Sequence, residues 1–384
     1  MKKKVLAAAL SAVMAASLAA CGTASAPAAT EPAQEAVEEA AEQVEEAATE
    51  EAAAAEEAVE EAATEAAAAV DPADFSVGLV TDVGGVNDGS FNQSAWEGLQ
   101  RAGKDLGIEV NYLESKGDAD YTPNIEAFMD EDYDLIICVG YMLADATRAA
   151  AEANPDQQFA IIDDSSCSDL PNVTCLMFKQ EQASYLVGYV AGMMTKTNNV
   201  GFVLGMASDT MHLFGYGYVA GVLDANPEAT VQQTNANSFA DPAIGKSSAN
   251  AQITGGADIV YHAAGGTGNG VIEACQEAGV YAIGVDSDQS VIAPSTVITS
   301  AMKRVDNAVY DAATEALAGK LEGGVKVYEL ANAGVDIAPT QDLLTPEVIA
   351  AVEDVKAKII SGEIVVPASK DEFEAKYGDV YELD

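Results

Sequence analysis

Val77-Gly78-Leu79-Val80-Thr81 is a short apolar run, and at an offset of 123 residues Val200-Gly201-Phe202-Val203-Leu204 repeats it. The same offset lays Phe91 on Phe214, Gly98 on Gly221 and Asp163 on Asp286, and Asp134-Leu135-Ile136 matches Asp258-Ile259-Val260 within one residue. Working outward, the runs Glu109–Leu113, Leu135–Val139 and Phe159–Ile162 follow the first, and Thr230–Gln233, Ile259–Tyr261 and Tyr281–Val285 follow the second. Each is separated from the next by a helical pattern. Strands alternating with helices argue for parallel sheets in an α/β fold. Self-similarity at a fixed period argues that one lobe plan is used twice. The 314 residues from position 71 onward exceed a single core and suit two lobes of roughly 150 residues each.

Two such lobes give the paired positions a meaning. Phe91 and Phe214 follow the first strand of each lobe, and Asp163 and Asp286 sit just past a later strand. Open α/β sheets bind ligands outside the carboxyl ends of their strands. Facing lobes therefore present a ring and a carboxylate each to one cleft. Two rings suit a flat apolar ligand, and carboxylates accept hydrogen bonds from hydroxyls or ring N–H groups. The structural alternative is that both Phe are core residues and both Asp are helix caps.

The first seventy residues read differently. Lys2, Lys3 and Lys4 precede an apolar run from Val5 to Ala20, which is shorter than the roughly 20 residues a membrane span needs. Leu18-Ala19-Ala20-Cys21-Gly22 resembles the cleavage and lipidation site of a bacterial lipoprotein, which makes residues 1–20 a signal peptide and Cys21 an acylated anchor. Residues 31–70 hold fourteen Glu and no Lys or Arg, a composition that cannot bury a core. Residues 21–75 are thus expected to be a lipidated Cys and an acidic spacer. The spacer would reach on the order of 40 Å as a coil or about 75 Å as a helix.

Charge and composition exclude several functions. Residues 71–384 carry 15 basic and 48 acidic side chains, a net of −33, so no cationic footprint for nucleic acid exists. With only His212 and His262, and no Cys-x-x-Cys pair, zinc sites and His-based triads are poorly supplied. No cofactor is expected. Gly245-Lys246-Ser247 lacks the earlier glycine of a phosphate loop, since Ala240 stands there, and Gly266-Thr267-Gly268-Asn269-Gly270 has Val271 where a dinucleotide fingerprint needs glycine. The second segment reads as a tight turn into a helix, and its acidic surroundings favour a hydroxyl or carbonyl over a phosphate. Cys138 and Cys275 read as small buried hydrophobes. Cys167 and Cys175 flank a loop containing Pro171 and are candidates for a disulfide. Met142, just past a strand, is placed equally well in the cleft or the core.

Several motifs belong together: Gly78-Leu79-Val80-Thr81-Asp82 with Asn87-Asp88-Gly89-Ser90-Phe91-Asn92-Gln93-Ser94-Ala95-Trp96-Glu97-Gly98, then Phe214-Gly215-Tyr216-Gly217-Tyr218 and His262-Ala263-Ala264-Gly265-Gly266. Ile283-Gly284-Val285-Asp286-Ser287-Asp288-Gln289 and Thr299-Ser300-Ala301-Met302-Lys303-Arg304 complete the set. Together they resemble the basic membrane protein (BMP) family of lipoproteins, the substrate-binding components of nucleoside ABC transporters. The resemblance runs from about residue 76 to about 370. It implies the type I periplasmic-binding-protein fold, with two doubly wound lobes and a three-stranded hinge. Residues 76–180 and about 300–325 would form the first lobe, and 181–299 and about 326–384 the second.

By the same resemblance Phe91 and Phe214 would stack on the two faces of a purine. Asn92 and Asp163 would read polar edges of the ligand, and Asp286 would accept from ribose hydroxyls. Lys303 would donate to the ribose, and the backbone around Gly266 would approach the sugar. Asp88 is expected to hold the Phe91 loop. The implied protein is no enzyme but a monomeric, lipid-anchored, extracytoplasmic binder of inosine, guanosine or adenosine that serves ABC permease subunits. A binding protein of the same fold for a sugar or other small metabolite is the alternative. A nucleoside hydrolase using Asp163 and Asp286 is a further one.

Overall fold

The computed structural model describes residues 70–383; the expected signal peptide, Cys21 and the expected acidic spacer as far as residue 69 lie outside them. Among the described residues twelve strands form two six-stranded sheets. In chain order they are β1 (Ser76–Val80), β2 (Glu109–Leu113), β3 (Leu135–Cys138), β4 (Gln158–Ile162), β5 (Val173–Phe178) and β6 (Asn199–Leu204). These are followed by β7 (Thr230–Asn235), β8 (Ile259–Ala263), β9 (Tyr281–Asp286), β10 (Val297–Lys303), β11 (Gly324–Tyr328) and β12 (Val335–Ile337). The first sheet runs β11-β5-β4-β3-β1-β2 and the second β12-β10-β9-β8-β6-β7. Every pairing is parallel except β10 with β12.

The repeated plan is therefore real at the level of topology. Each sheet places its first strand between its second and third, the order of a doubly wound α/β fold. The inner strands β3 and β8 are buried along their whole length, as expected for parallel strands covered by helices on both faces. The eight apolar runs appear as β1–β4 and β6–β9, with ends shifted by no more than two residues. The other four strands complete the two sheets.

Ten α-helices among the described residues cover the sheets: α1 (Phe91–Leu106), α2 (Asp118–Asp130), α3 (Ala144–Ala153), α4 (Gln180–Met194), α5 (Asp209–Ala225), α6 (Pro242–Thr254), α7 (Thr267–Ala278), α8 (Val305–Leu317), α9 (Pro346–Ile360) and α10 (Lys370–Tyr377). None among the described residues is long and apolar enough to cross a membrane. The repeated glycines have a packing reason. A Cβ on Gly98 would lie 2.2 Å from the carbonyl oxygen of Asp306, and one on Gly221 would lie 2.1 Å from that of Tyr185. Only glycine lets the crossing helices α8 and α4 approach the first helix of each lobe so closely.

Those two helices show how the lobes are tied. The chain leaves the first sheet after β5 and enters α4, which packs on α5 of the second lobe. It returns after β10 through α8, which packs on α1, and crosses again from β11 to β12. The three crossings run side by side. Lys179 N–H donates to the Tyr328 carbonyl at 2.9 Å, Arg304 N–H donates to the Gly334 carbonyl at 2.9 Å, and Lys179 pairs with Glu329. This is a three-segment hinge. The second crossing begins after Lys303, so β10 lies wholly in the second sheet, and β11 in the first sheet extends to Tyr328.

Candidate functional site

The carboxyl ends of both sheets face one cavity, which holds about 520 Å³ of empty space including its mouth. The first lobe contributes the loop after β1. The Asp88 carboxylate accepts from the backbone N–H groups of Ser90 (2.8 Å), Asn92 (3.0 Å) and Gln93 (3.1 Å), which caps the first turn of α1. Phe91 begins that helix, so the cap sets the direction of its ring. Asn92 follows, and its side-chain N–H groups are committed to Asp82 (2.7 Å) and Asp88 (3.0 Å). Asn92 lines the cavity, but inside the protein its amide holds two carboxylates in place.

Asp163 and Asp286 occupy matching ends of β4 and β9, and both adopt left-handed backbone conformations with φ of 67° and 64°. Aspartate tolerates this region better than most residues. The shared bend turns both side chains from the sheet into the cavity. Lys303, at the end of β10 beside the hinge, is 2% exposed and donates to Asp163 Oδ2. Its ammonium also lies 4.9 Å from the ring centroid of Phe91, 5.0 Å from Phe178 and 5.5 Å from Phe214. One buried cation thus touches aromatic faces of both lobes. Asp163 Oδ1 is buried and accepts no hydrogen bond from the protein. A buried carboxylate oxygen without a donor is costly unless a bound molecule supplies one.

The electrostatics of the cavity are acidic. Burial pushes the Asp286 carboxyl up to about 7, against the opposing pull of Lys303 and of Ser90 Oγ, which donates to Asp286 Oδ2. Burial likewise raises Asp82 to about 6, helped by the neighbouring Asp88 and Asp163. Such a site disfavours phosphate and suits neutral molecules rich in N–H and O–H donors.

The apolar walls are Phe91, Phe214, Tyr141, Met211 and Phe239, with Ala263, Ala264 and Gly265 forming a close backbone approach. The structure thus brings Phe91, Asn92, Asp88, Asp163, Phe214, Asp286 and Lys303 together. Gly266 is the residue before α7 and stands just behind the three lining residues Ala263–Gly265. Met142 packs into the first-lobe core, and its neighbour Tyr141 lines the cavity in its place. Cys167 and Cys175 are both free, which corrects the expected candidate disulfide. Cys175 is buried within β5, and Cys167 directs its thiol at the Ala144 carbonyl at 3.8 Å. Asp82, Tyr141, Met211 and Phe239 were not anticipated. Of these, only Asp82 had a signal, since it lies just past the end of β1 and obeys the same strand-end rule as Asp163.

Comparison with known proteins bears on the family and the fold. A family model described as ABC transporter substrate-binding protein PnrA-like matches residues 75–370. The CD4+ T-cell-stimulating antigen of Listeria monocytogenes is 44% identical, with 77% of this chain and 88% of that protein covered. The ABC transporter nucleoside-binding protein BmpA of Lactococcus lactis is 40% identical over 77% of this chain and 90% of its own. Among solved structures, a solute-binding protein of an Aeropyrum pernix ABC transporter superposes with a TM-score of 0.71 at 29% identity. That match covers 80% of this chain and 98% of the other.

Proposed function

Because the chain belongs to the PnrA-like family of ABC transporter substrate-binding proteins, we propose that it captures purine nucleosides outside the membrane and delivers them to an ABC importer. The observation that carries this reading is the unpartnered Asp163 Oδ1 in a cavity walled by Phe91 and Phe214. A purine offers two flat faces for the rings and an N–H edge for the carboxylate. Asp286 accepts from ribose hydroxyls, and Lys303 donates to the sugar while restraining Asp163. The acidic cavity selects nucleosides over nucleotides.

Capture works by closure. Ligand contacts both lobes across the hinge, so its binding free energy favours the closed arrangement, and the permease recognises that form. Cys21 carries the lipid that holds the protein at the extracytoplasmic face, and residues 22–75 let the body clear the surface. The relative's printed name as a nucleoside-binding protein supports the ligand class.

Thermal unfolding of the full chain with inosine, guanosine, adenosine, cytidine and ribose tests this. A ligand at about 100 times its Kd adds about 2.7 kcal/mol, which reads as a shift of several degrees. Purine nucleosides should stabilise, and ribose should not. Ribose stabilising as well as inosine would show the rings to be idle and would turn the reading toward sugars.

A further inference from the structure

Three consecutive residues of the first-lobe loop are each held by a side chain of the second lobe. Asn269 Nδ2 donates to the Asp88 carbonyl at 2.9 Å, Gln289 Nε2 donates to the Gly89 carbonyl at 3.0 Å, and Ser90 Oγ donates to Asp286. Asp286 lines the cavity, whereas Asn269 and Gln289 stand outside its lining. Their acceptors are backbone carbonyls. The two amides therefore read where the loop is and make no contact with the cavity's contents.

Gln289 is aimed for this task. It is fully buried, and its Oε1 accepts from Val285 N–H at 2.9 Å and from His262 Nε2 at 3.0 Å. The second bond requires the proton on Nε2, and Nδ1 of the same ring has no hydrogen-bond partner. Burial keeps the ring neutral by pushing its pKa down to about 4. Gly268 is what lets the imidazole in, because a Cβ there would lie 2.0 Å from the ring. A flip of the amide would put Nε2 against the fixed Val285 N–H and Oε1 against the Gly89 carbonyl. Its Nε2 is left facing the other lobe.

We propose that Gln289, oriented by His262, and Asn269 form a latch that clasps the Asp88–Gly89 backbone and sets the lifetime of the closed complex without touching the ligand. This makes Gln289, His262 and Asn269 positioning residues, and it rests on the reading that ligand is captured by lobe closure.

The test is stopped-flow release of inosine, guanosine and adenosine from the full-length Gln289→Leu and Asn269→Ala variants, with small-angle X-ray scattering alongside. One lost hydrogen bond corresponds to roughly a two- to tenfold change. Release should accelerate by that factor equally for all three nucleosides, with association unchanged. His262→Leu should accelerate release in the wild-type background and add nothing in the Gln289→Leu background, a coupling that mere loss of packing would not produce. The double variant Gln289→Leu, Asn269→Ala should have a larger radius of gyration than the wild type under identical conditions. Asn269→Ala disturbs only the cross-lobe bond and keeps the test decisive if Gln289→Leu misfolds. Wild-type release rates in both single variants with a wild-type radius in the double variant would overturn the latch, as would an acceleration confined to one nucleoside. Failure of the wild type to bind any nucleoside would instead defeat the proposed function, and the latch would then stand or fall on the scattering comparison.

Discussion

Replacing Asp163 with Asn separates the proposed base contact from everything else in the site. The backbone there is left-handed, φ 67°, and Asn occupies that region as readily as Asp, so the bend after β4 survives. The buried Lys303 ammonium keeps hold of the side-chain oxygen, since it can only donate. The new NH₂ group then takes the place of the free Oδ1. On the proposed reading inosine and guanosine present a ring N–H to that position, so a charge-assisted hydrogen bond becomes a donor facing a donor. Such bonds are worth about 1.5–3 kcal/mol, a factor of roughly 10 to 150 in Kd. Adenosine presents a ring acceptor at the same edge, which the new amide satisfies. Costs shared by all ligands, including the loss of charge beside Lys303, cancel in a ratio. Calorimetric titration of wild type and variant should therefore show the Kd ratio of inosine to adenosine rising at least about tenfold. An unchanged ratio would refute the assignment of Asp163 to the base edge, whatever happened to the absolute affinities.

Three further outcomes follow from the geometry. Phe91→Ala and Phe214→Ala should each weaken purine nucleoside binding by about 1–3 kcal/mol through lost stacking and burial, and unaltered Kd values in both variants would make the rings structural. The Asp286 carboxyl is held up to about 7 in the folded protein, above its ordinary value of 3.8, so the folded state binds the extra proton. Its contribution thus erodes stability as pH rises from about 4 to about 7 and is constant above. Asp286→Asn removes that dependence, so its Tm advantage over wild type should grow across that window, and a pH-independent difference would contradict the burial argument. Gly221→Ala places a methyl 2.1 Å from the Tyr185 carbonyl oxygen, which should lower stability by about 1–3 kcal/mol or more, seen as a fall in Tm. A wild-type Tm would show that α4 and α5 can separate freely.

Much of the fold was legible in the sequence because its determinants are local. An apolar run, a turn and a helical pattern recur at an offset of 123 residues, and each instance dictates the same strand and helix. Asp163 and Asp286 were legible for a related reason, since a residue just past a buried strand in such a fold must face the ligand side. Phe91 and Phe214 were legible as a pair through the repeat. Met142 was not, because a single-residue step along a short helical turn exchanges cavity for core, and only packing chose Tyr141. The candidate pairing of Cys167 with Cys175 is not made, since both thiols are free, and nearness in sequence could not decide that.

By itself, then, the sequence determined two α/β lobes, an acidic body unsuited to nucleic acid, and which strand ends would carry rings and carboxylates. Tertiary structure alone decided how those groups are used. Lys303 meets Asp163 across 140 residues of chain, and Gln289 meets Gly89 across 200. Asn92 became a holder of Asp82 and Asp88 because two carboxylates were brought within reach of one amide. Periodicity reports the burial of a face, which depends on neighbours along the chain. Hydrogen bonds, pKa shifts and orphaned acceptors depend on how the folded chain brings groups together, and the bonds from Lys303 to Asp163 and from Gln289 to Gly89 form only when three hinge segments set one lobe against the other.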